Sequence, residues 1–156
     1  MEISRAHTVP DFDVARALFQ EYAAGLGVDL CFQGFDAELA ALDRVYTPPA
    51  GALLLAFDGD TAAGCVAVRP APAAGAGTCE MKRLYVRPAY RGTGLGRRLA
   101  EAVVEEGRRL GYTRMVLDTL ETMDRARAVY AALGFRETAP YYPNPLDGVR
   151  YLEADL

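Results

Sequence analysis

Histidine and lysine are almost missing from this chain: His7 and Lys82 are the only examples in 156 residues. His7 falls in an expected opening strand and is assigned no catalytic role. Lys82 precedes the glycine-rich stretch instead of ending it, so a Walker loop, which needs Lys directly after its last Gly, is excluded. Cysteine is scarce too: Cys31, Cys65 and Cys79 are odd in number and show no CxxC spacing. Their apolar neighbours suit small buried residues better than a disulfide frame or a zinc site, and no metal is expected. No apolar run approaches the length of about 18 residues that a membrane span needs, so nothing in the sequence reads as one. The opening stretch, MEISRAHTVPDFD, carries acids where a signal peptide would carry a basic and then an apolar region, and cytoplasm is the expected compartment.

What the chain does have is one domain's worth of apolar residues, 51% of the total, over residues 1–156 without a convincing linker or repeat. Its net charge of −4 is unevenly spread. Between Lys82 and Arg127 there are 11 basic side chains against 6 acids, whereas the stretch from Met1 to Met81 holds 11 acids and 4 bases. A positive centre inside an acidic molecule attracts a compact polyanion and repels a long nucleic acid. No aromatic and basic interleaving suggests a single-strand platform either. A small phosphorylated ligand fits best.

Apolar spacing gives the element order β α α β β β α β α β β, an α+β or mixed-sheet pattern. Ile3 to His7 reads as a strand. Val14, Leu18 and Tyr22 mark a helix ending near Gly25, and a second short helix spans Asp36 to Leu42. "ALLLAF", the Asp58-Gly59 pair and "TAAGCVAVRP" read as a hairpin. A strand from Thr78 to Val86 leads into Gly92, Gly94 and Gly96, after which Leu95, Leu99, Val103 and Leu110 keep helical spacing up to Gly111. "YTRMVLDTL" reads as a buried strand. Ala126, Val129, Tyr130 and Leu133 form one apolar helix face, and Phe135 to Thr138 and Val149 to Asp155 are the last strands.

The three glycines fail the dinucleotide fingerprint, because Arg97 stands where its third Gly belongs. A strand, a short bend and a helix start remain. The free N–H groups near Gly94, Leu95, Gly96 and Arg97 offer an anion a seat, and a pyrophosphate suits it.

"RGTGLG", Arg91 to Gly96, carries the pattern Gln or Arg, two residues, Gly, one residue, Gly or Ala. In this it resembles the GNAT superfamily of N-acetyltransferases. "EMKRLYV" is similar to that family's fourth strand, and "YAALGF", Tyr130 to Phe135, to the close of its last long helix. The resemblance covers almost the whole chain. It implies a central twisted sheet of six to seven mostly antiparallel strands flanked by about four helices. It also implies acetyl-CoA as co-substrate, held by Arg91, Gly92, Thr93, Gly94, Leu95, Gly96 and Arg97. The backbone of Leu84, Tyr85 and Val86 would pair with the pantetheine arm.

By the same resemblance Glu80 is the general base and Tyr130 the general acid. A carboxylate near pKa 4.3 is far below an alkyl ammonium, so relay through water is the expected route. Many relatives carry Asn where this chain has Met123. The expected partner is a small-molecule amine, with no nucleic acid and no membrane, and relatives often form homodimers. Tyr22, Asp29, Phe32, Phe35 and Tyr142 are expected to line the acceptor pocket. The acid excess between Met1 and Met81 suggests a cationic or amino-acid-like acceptor. The alternative is a non-catalytic sensor that binds acyl-CoA through the same loop.

Overall fold

The computed structural model describes residues 1–27 and 29–156, without the side chain of Phe32. Among these residues seven strands form one sheet in the order β1-β2-β3-β4-β5-β7-β6: β1 (Glu2–Arg5), β2 (Ala52–Asp58), β3 (Thr61–Pro70), β4 (Thr78–Val86), β5 (Arg114–Leu120), β6 (Arg136–Glu137) and β7 (Val149–Asp155). Every pairing is antiparallel except β4 with β5. Five helices flank the sheet: α1 (Val9–Leu26), α2 (Phe35–Ala40), α3 (Leu42–Val45), α4 (Leu95–Arg109) and α5 (Asp124–Ala132).

Local chemistry explains the boundaries. Thr8 and Asp11 close a reciprocal capping box ahead of α1, Pro10 occupies the first turn, and Gly27 ends the helix in a left-handed conformation at φ 66°. His7 lies beyond the end of β1, exposed, with its backbone N–H donating to Asp11. The one expected helix over Asp36 to Leu42 is two: Ala41, at φ −127°, breaks α2 from α3. That accounts for five helices instead of four.

Side chains alternate across β2 and β3, so each of these strands feeds two cores. On one face Val66, Val68, Met81, Met115 and Leu117 pack with Leu95, Leu99 and Val103 of α4 and with Tyr130 of α5. On the other, Leu53, Leu55, Cys65 and Ala67 pack with Phe12, Leu18 and Phe19 of α1 and Leu42 of α3. Cys65 and Cys79 are fully buried, as their neighbours suggest, but Cys31 is exposed in the short 3-10 turn after α1.

Two irregularities in β4 shape the middle of the sheet. Between Cys65 paired with Tyr85 and Ala67 paired with Lys82 the register slips, so Val66 alone faces both Arg83 and Leu84. Arg83 takes φ 57° at this bulge, a conformation that costs a non-glycine residue about 1 kcal/mol. In addition, β4 and β5 pair only from Thr78–Glu80 to Arg114–Val116. Beyond that the two strands part, because β5 follows β7 along its whole length while β4 follows β3. The sheet opens there into a split.

Candidate active site

The split is the place where both faces of the sheet can reach the same point. Tyr22, Leu84, Asp118, Thr119, Met123 and Tyr130 line it, with Lys82 and Gln33 at its α1 side. Alternation sends Glu80 and Lys82 to the α1 face and Met81 to the α4 face, so the two residues expected to assist chemistry, Glu80 and Tyr130, approach from opposite faces.

Tyr130 is 6% exposed and packs edge-on against Phe135 at 5.9 Å. Burial pushes its phenol well above the ordinary value of 10, with the Tyr22 hydroxyl and the Asp118 carboxylate adding to the shift. It stays protonated, and as a hydroxyl it can donate.

Glu80 is 4% exposed and both carboxylate oxygens are engaged. Arg69 Nε donates to Oε1 at 3.2 Å and the Tyr141 hydroxyl to Oε2 at 2.5 Å, while Lys82 Nζ stands 3.8 Å from Oε2. Arg69 and Glu80 are direct cross-strand partners on β3 and β4, which explains the ion pair. Lys82, 4% exposed, donates to Gln33 Oε1 at 3.2 Å. Burial lowers its pKa, and the nearby Glu80 charge only partly opposes this.

A second polar group stands on β5. Asp118 accepts from the Tyr142 hydroxyl and, at 2.8 Å, from Asn144 Nδ2. Gln33 Nε2 donates to the Tyr142 hydroxyl at 2.9 Å. Behind these, Arg83 makes two 3.0 Å hydrogen bonds to Glu38, with both side chains buried. The Arg83 guanidinium also lies over the rings of Phe35 at 5.1 Å and Tyr22 at 5.7 Å.

At the far end of β4 the glycine stretch enters α4. Gly94 is the cap residue at φ 83°, Gly92 sits at φ 79°, and Gly96 has helical conformation inside the first turn. The first helical bond of the turn is Arg98 N to Gly94 O at 3.1 Å, which leaves the N–H groups of Leu95, Gly96 and Arg97 outside the helical ladder. Among the described residues no side chain caps them. The loop is braced from behind. Arg91 Nε donates to Val86 O at 3.0 Å, its guanidinium lies 5.9 Å over the Tyr85 ring, and Thr93 Oγ1 donates to Tyr90 O at 2.6 Å. The Arg97 side chain turns along the helix to Glu101 at 2.8 Å.

The structure thus brings Tyr130, Leu84 and Tyr22 around one opening and Glu80 and Tyr142 around an adjacent one that shares Gln33 and Lys82 with it, while β4 runs on through Val86 to the residues from Arg91 to Arg97. Tyr85 uses its side chain on the α1 face, edge-on to Tyr22, and its hydroxyl donates to Glu21 at 3.3 Å. Phe35 stands behind the site as a lid on Arg83. Asp29 is exposed, caps the Cys31 N–H at 2.9 Å and does not line the opening. The Phe32 side chain falls outside the described residues. Met123, in the position where Asn was expected, caps α5 and lines the split, accepting a contact from Thr119 Oγ1 at 3.7 Å through its sulfur.

Sequence reasoning passed over Arg69, Lys82 and Asp118 as site residues, and had Tyr141 and Asn144 only as part of a segment, Tyr141 to Gly148, expected to close over the acceptor pocket. For Lys82 the signal existed, two residues from Glu80 on the same strand face. Asp118 was also visible as the single acid in a buried apolar strand. Nothing local marks Arg69. The acid excess between Met1 and Met81 does not extend into the site: of those acids, Glu38 and Glu80 are the buried ones, and each is matched by an arginine.

The sequence model of the Acetyltransferase (GNAT) family matches residues 8–135 of this chain. An uncharacterized N-acetyltransferase of Schizosaccharomyces pombe is 46% identical, covering 100% of this chain and 95% of its own. An uncharacterized N-acetyltransferase of Escherichia coli is 32% identical over 78% of this chain and 72% of its own. Among solved structures, an acetyltransferase from Streptococcus agalactiae superposes with a TM-score of 0.77 at 23% identity, covering 99% of this chain and 98% of that one. A Bacillus subtilis acetyltransferase in complex with CoA superposes at 0.69 and 19% identity, covering 99% and 98%.

Proposed function

Because the chain belongs to the GNAT acetyltransferase family and is an acyltransferase, we propose that it moves acetyl from acetyl-CoA directly to the primary amine of a small molecule in a ternary complex. The observation that carries this reading is the split in the sheet. It has free helix-start N–H groups at one end and a buried carboxylate and a buried phenol on its two faces.

The diphosphate of coenzyme A sits on the N–H groups of Leu95, Gly96 and Arg97, where the α4 dipole favours negative charge. Gly92 and Gly94 let the backbone wrap it, with Arg91 and Thr93 holding the loop in shape. The pantetheine arm runs as an added strand along the edge of β4 that β5 leaves bare, beside Leu84, Tyr85 and Val86. That course sets the thioester in the split.

The acceptor arrives as an ammonium and must lose a proton before it can attack. Glu80 takes that proton through water, and Arg69 and Tyr141 hold its carboxylate in place. The amine nitrogen then forms a bond to the acetyl carbon, the carbon–sulfur bond breaks, and the second amine proton ends on the departing sulfur, so that coenzyme A leaves as the free thiol. Tyr130 donates a hydrogen bond to the sulfur as it becomes a thiolate. Its raised pKa makes hydrogen bonding, rather than full proton transfer, its contribution.

Two measurements on the purified protein test the reading. Coenzyme A at a hundred times its dissociation constant stabilises by about 2.7 kcal/mol, and acetyl-CoA releases free thiol only when an amine is added. Absence of both effects with millimolar cofactor removes the proposal.

A further inference from the structure

On the α1 face, next to the split, lies a second opening of about 400 Å³, lined by Arg69, Glu80, Lys82, Tyr141, Tyr142 and the Pro70–Ala73 wall. It shares Gln33 and Lys82 with the split, Lys82 donating to Gln33, and Gln33 in turn donates to the hydroxyl of Tyr142 on the outer wall. A thin polar partition therefore separates the two spaces.

Its charges are unequal. Glu38 is committed to Arg83 through two hydrogen bonds, and Asp118 stands on the inner side of the partition, committed to Tyr142 and Asn144. Among the described residues that leaves Glu80 as the one carboxylate in the wall, facing two cations, Arg69 and Lys82. Arg69 spends only Nε on Glu80. Nη1 is 3.9 Å from Glu38, beyond hydrogen-bond reach, and the side chain is 29% exposed. Lys82 has a neutral amide, Gln33, as its hydrogen-bond acceptor. A buried ammonium with so little opposite charge is costly to keep, and a ligand carboxylate would relieve it.

We propose that the acceptor is a compact amino carboxylate of free-amino-acid size. Its carboxylate is bound by Arg69 and Lys82 in the outer opening, and its amino group is turned inward past Gln33 to the split. Inside, Asp118 supplies the negative charge that an entering ammonium needs. The Pro70–Ala73 wall and the two tyrosine rings give its side chain an apolar surface. This assignment rests on the transferase reading above and narrows its acceptor. It also runs against a simple polyamine, which would bring only positive charge to a wall that already has an excess of it.

The test compares matched acceptors with the unaltered protein and acetyl-CoA, following thiol release: leucine with leucinamide and isopentylamine, and phenylalanine with phenylalaninamide and phenethylamine. The expected result is a kcat/KM for each amino acid about 10- to 100-fold above both partners, as for a site built to bind a polar group. The amides have the more weakly basic amines, so a preference for the acid over the amide cannot come from amine ionisation. Arg69→Gln also loosens Glu80 and is expected to slow every acceptor, but to slow the amino acids about tenfold more than isopentylamine, so that the ratio between them falls close to one.

Equal or faster turnover of the decarboxylated amines overturns the inference and leaves the transferase standing. So does cofactor binding with no turnover of any amino acid, or an Arg69→Gln loss that falls equally on acids and amines. Should the variant fail to fold, the matched pairs on the unaltered protein decide alone. No cofactor stabilisation and no thiol release with any amine removes both proposals.

Discussion

Glu80 and Tyr130 differ in what their surroundings ask of them. Glu80 is held by Arg69 and Tyr141, and a glutamine in its place can accept from Arg69 through its amide oxygen and donate from Nε2 to the Tyr141 hydroxyl oxygen. Glu80→Gln is therefore expected to fold normally and bind acetyl-CoA unchanged, while kcat falls about 100-fold, the usual worth of a positioned base. Kinetics indistinguishable from the parent would make Glu80 only a support for Arg69. Tyr130 packs on Phe135, and Tyr130→Phe keeps that contact. Here kcat is expected to fall about 10- to 100-fold, corresponding to one hydrogen bond to a charged group, with little change in cofactor affinity. At this scale the sequence was only partly legible. Glu80 was visible through its place on a strand before the glycines. The contacts that Arg69 and Tyr141 make with it were not, because these residues lie 11 and 61 places away in the sequence.

Among the elements, α4 does two jobs with its two ends. Gly94 opens it at φ 83° and Gly111 follows it at φ 93°, and a methyl group added to either would meet nothing within 4 Å. Replacing either by alanine thus introduces backbone strain alone, about 1–2 kcal/mol. Gly94→Ala is expected to weaken acetyl-CoA binding roughly 5- to 30-fold, the same energy expressed as affinity. Gly111→Ala is expected to lower thermal stability and leave binding intact. Isothermal titration of both variants distinguishes a phosphate-binding turn from a merely structural one. Elements such as β4 and β7 were readable to the residue, since strand length there is set by alternation and bounded by Gly or Pro. The α2–α3 break was not. Six- and four-residue helices are too short for periodicity to resolve, and the interruption at Ala41 is set by packing of Leu42 into the α1 core.

For the molecule as a whole, ion pairs between distant segments tie the α1 face together. Glu21 of α1 accepts from Arg87 at 3.0 Å and, on its other oxygen, at 2.6 Å. The Arg87 hydrogen bond holds the Glu21 carboxyl below its ordinary 4.5, against a smaller opposing effect of burial. A carboxyl with a lower pKa folded than unfolded stabilises fully above pH 4.5 and loses that contribution as pH falls through the folded value. The melting temperature is expected to drop on acidification below pH 4.5, and to drop less steeply in Glu21→Gln. Parallel pH profiles for the two proteins would show that the pair is too solvent-exposed to matter. Among the described residues no helix is long and apolar enough to cross a membrane.

By itself the sequence determined the order of elements, the hairpin and the glycine turn into α4, because each depends on residues a few places apart: alternation, capping and left-handed conformations are short-range effects. Tertiary structure alone decided where the sheet splits and which charges share a wall. Gln33 and Tyr142 are 109 residues apart, and Glu38 and Arg83 are 45 apart. They meet only because β5 turns to follow β7 while β4 bulges against β3. An isolated stretch of chain carries no information about which buried charge will be its neighbour.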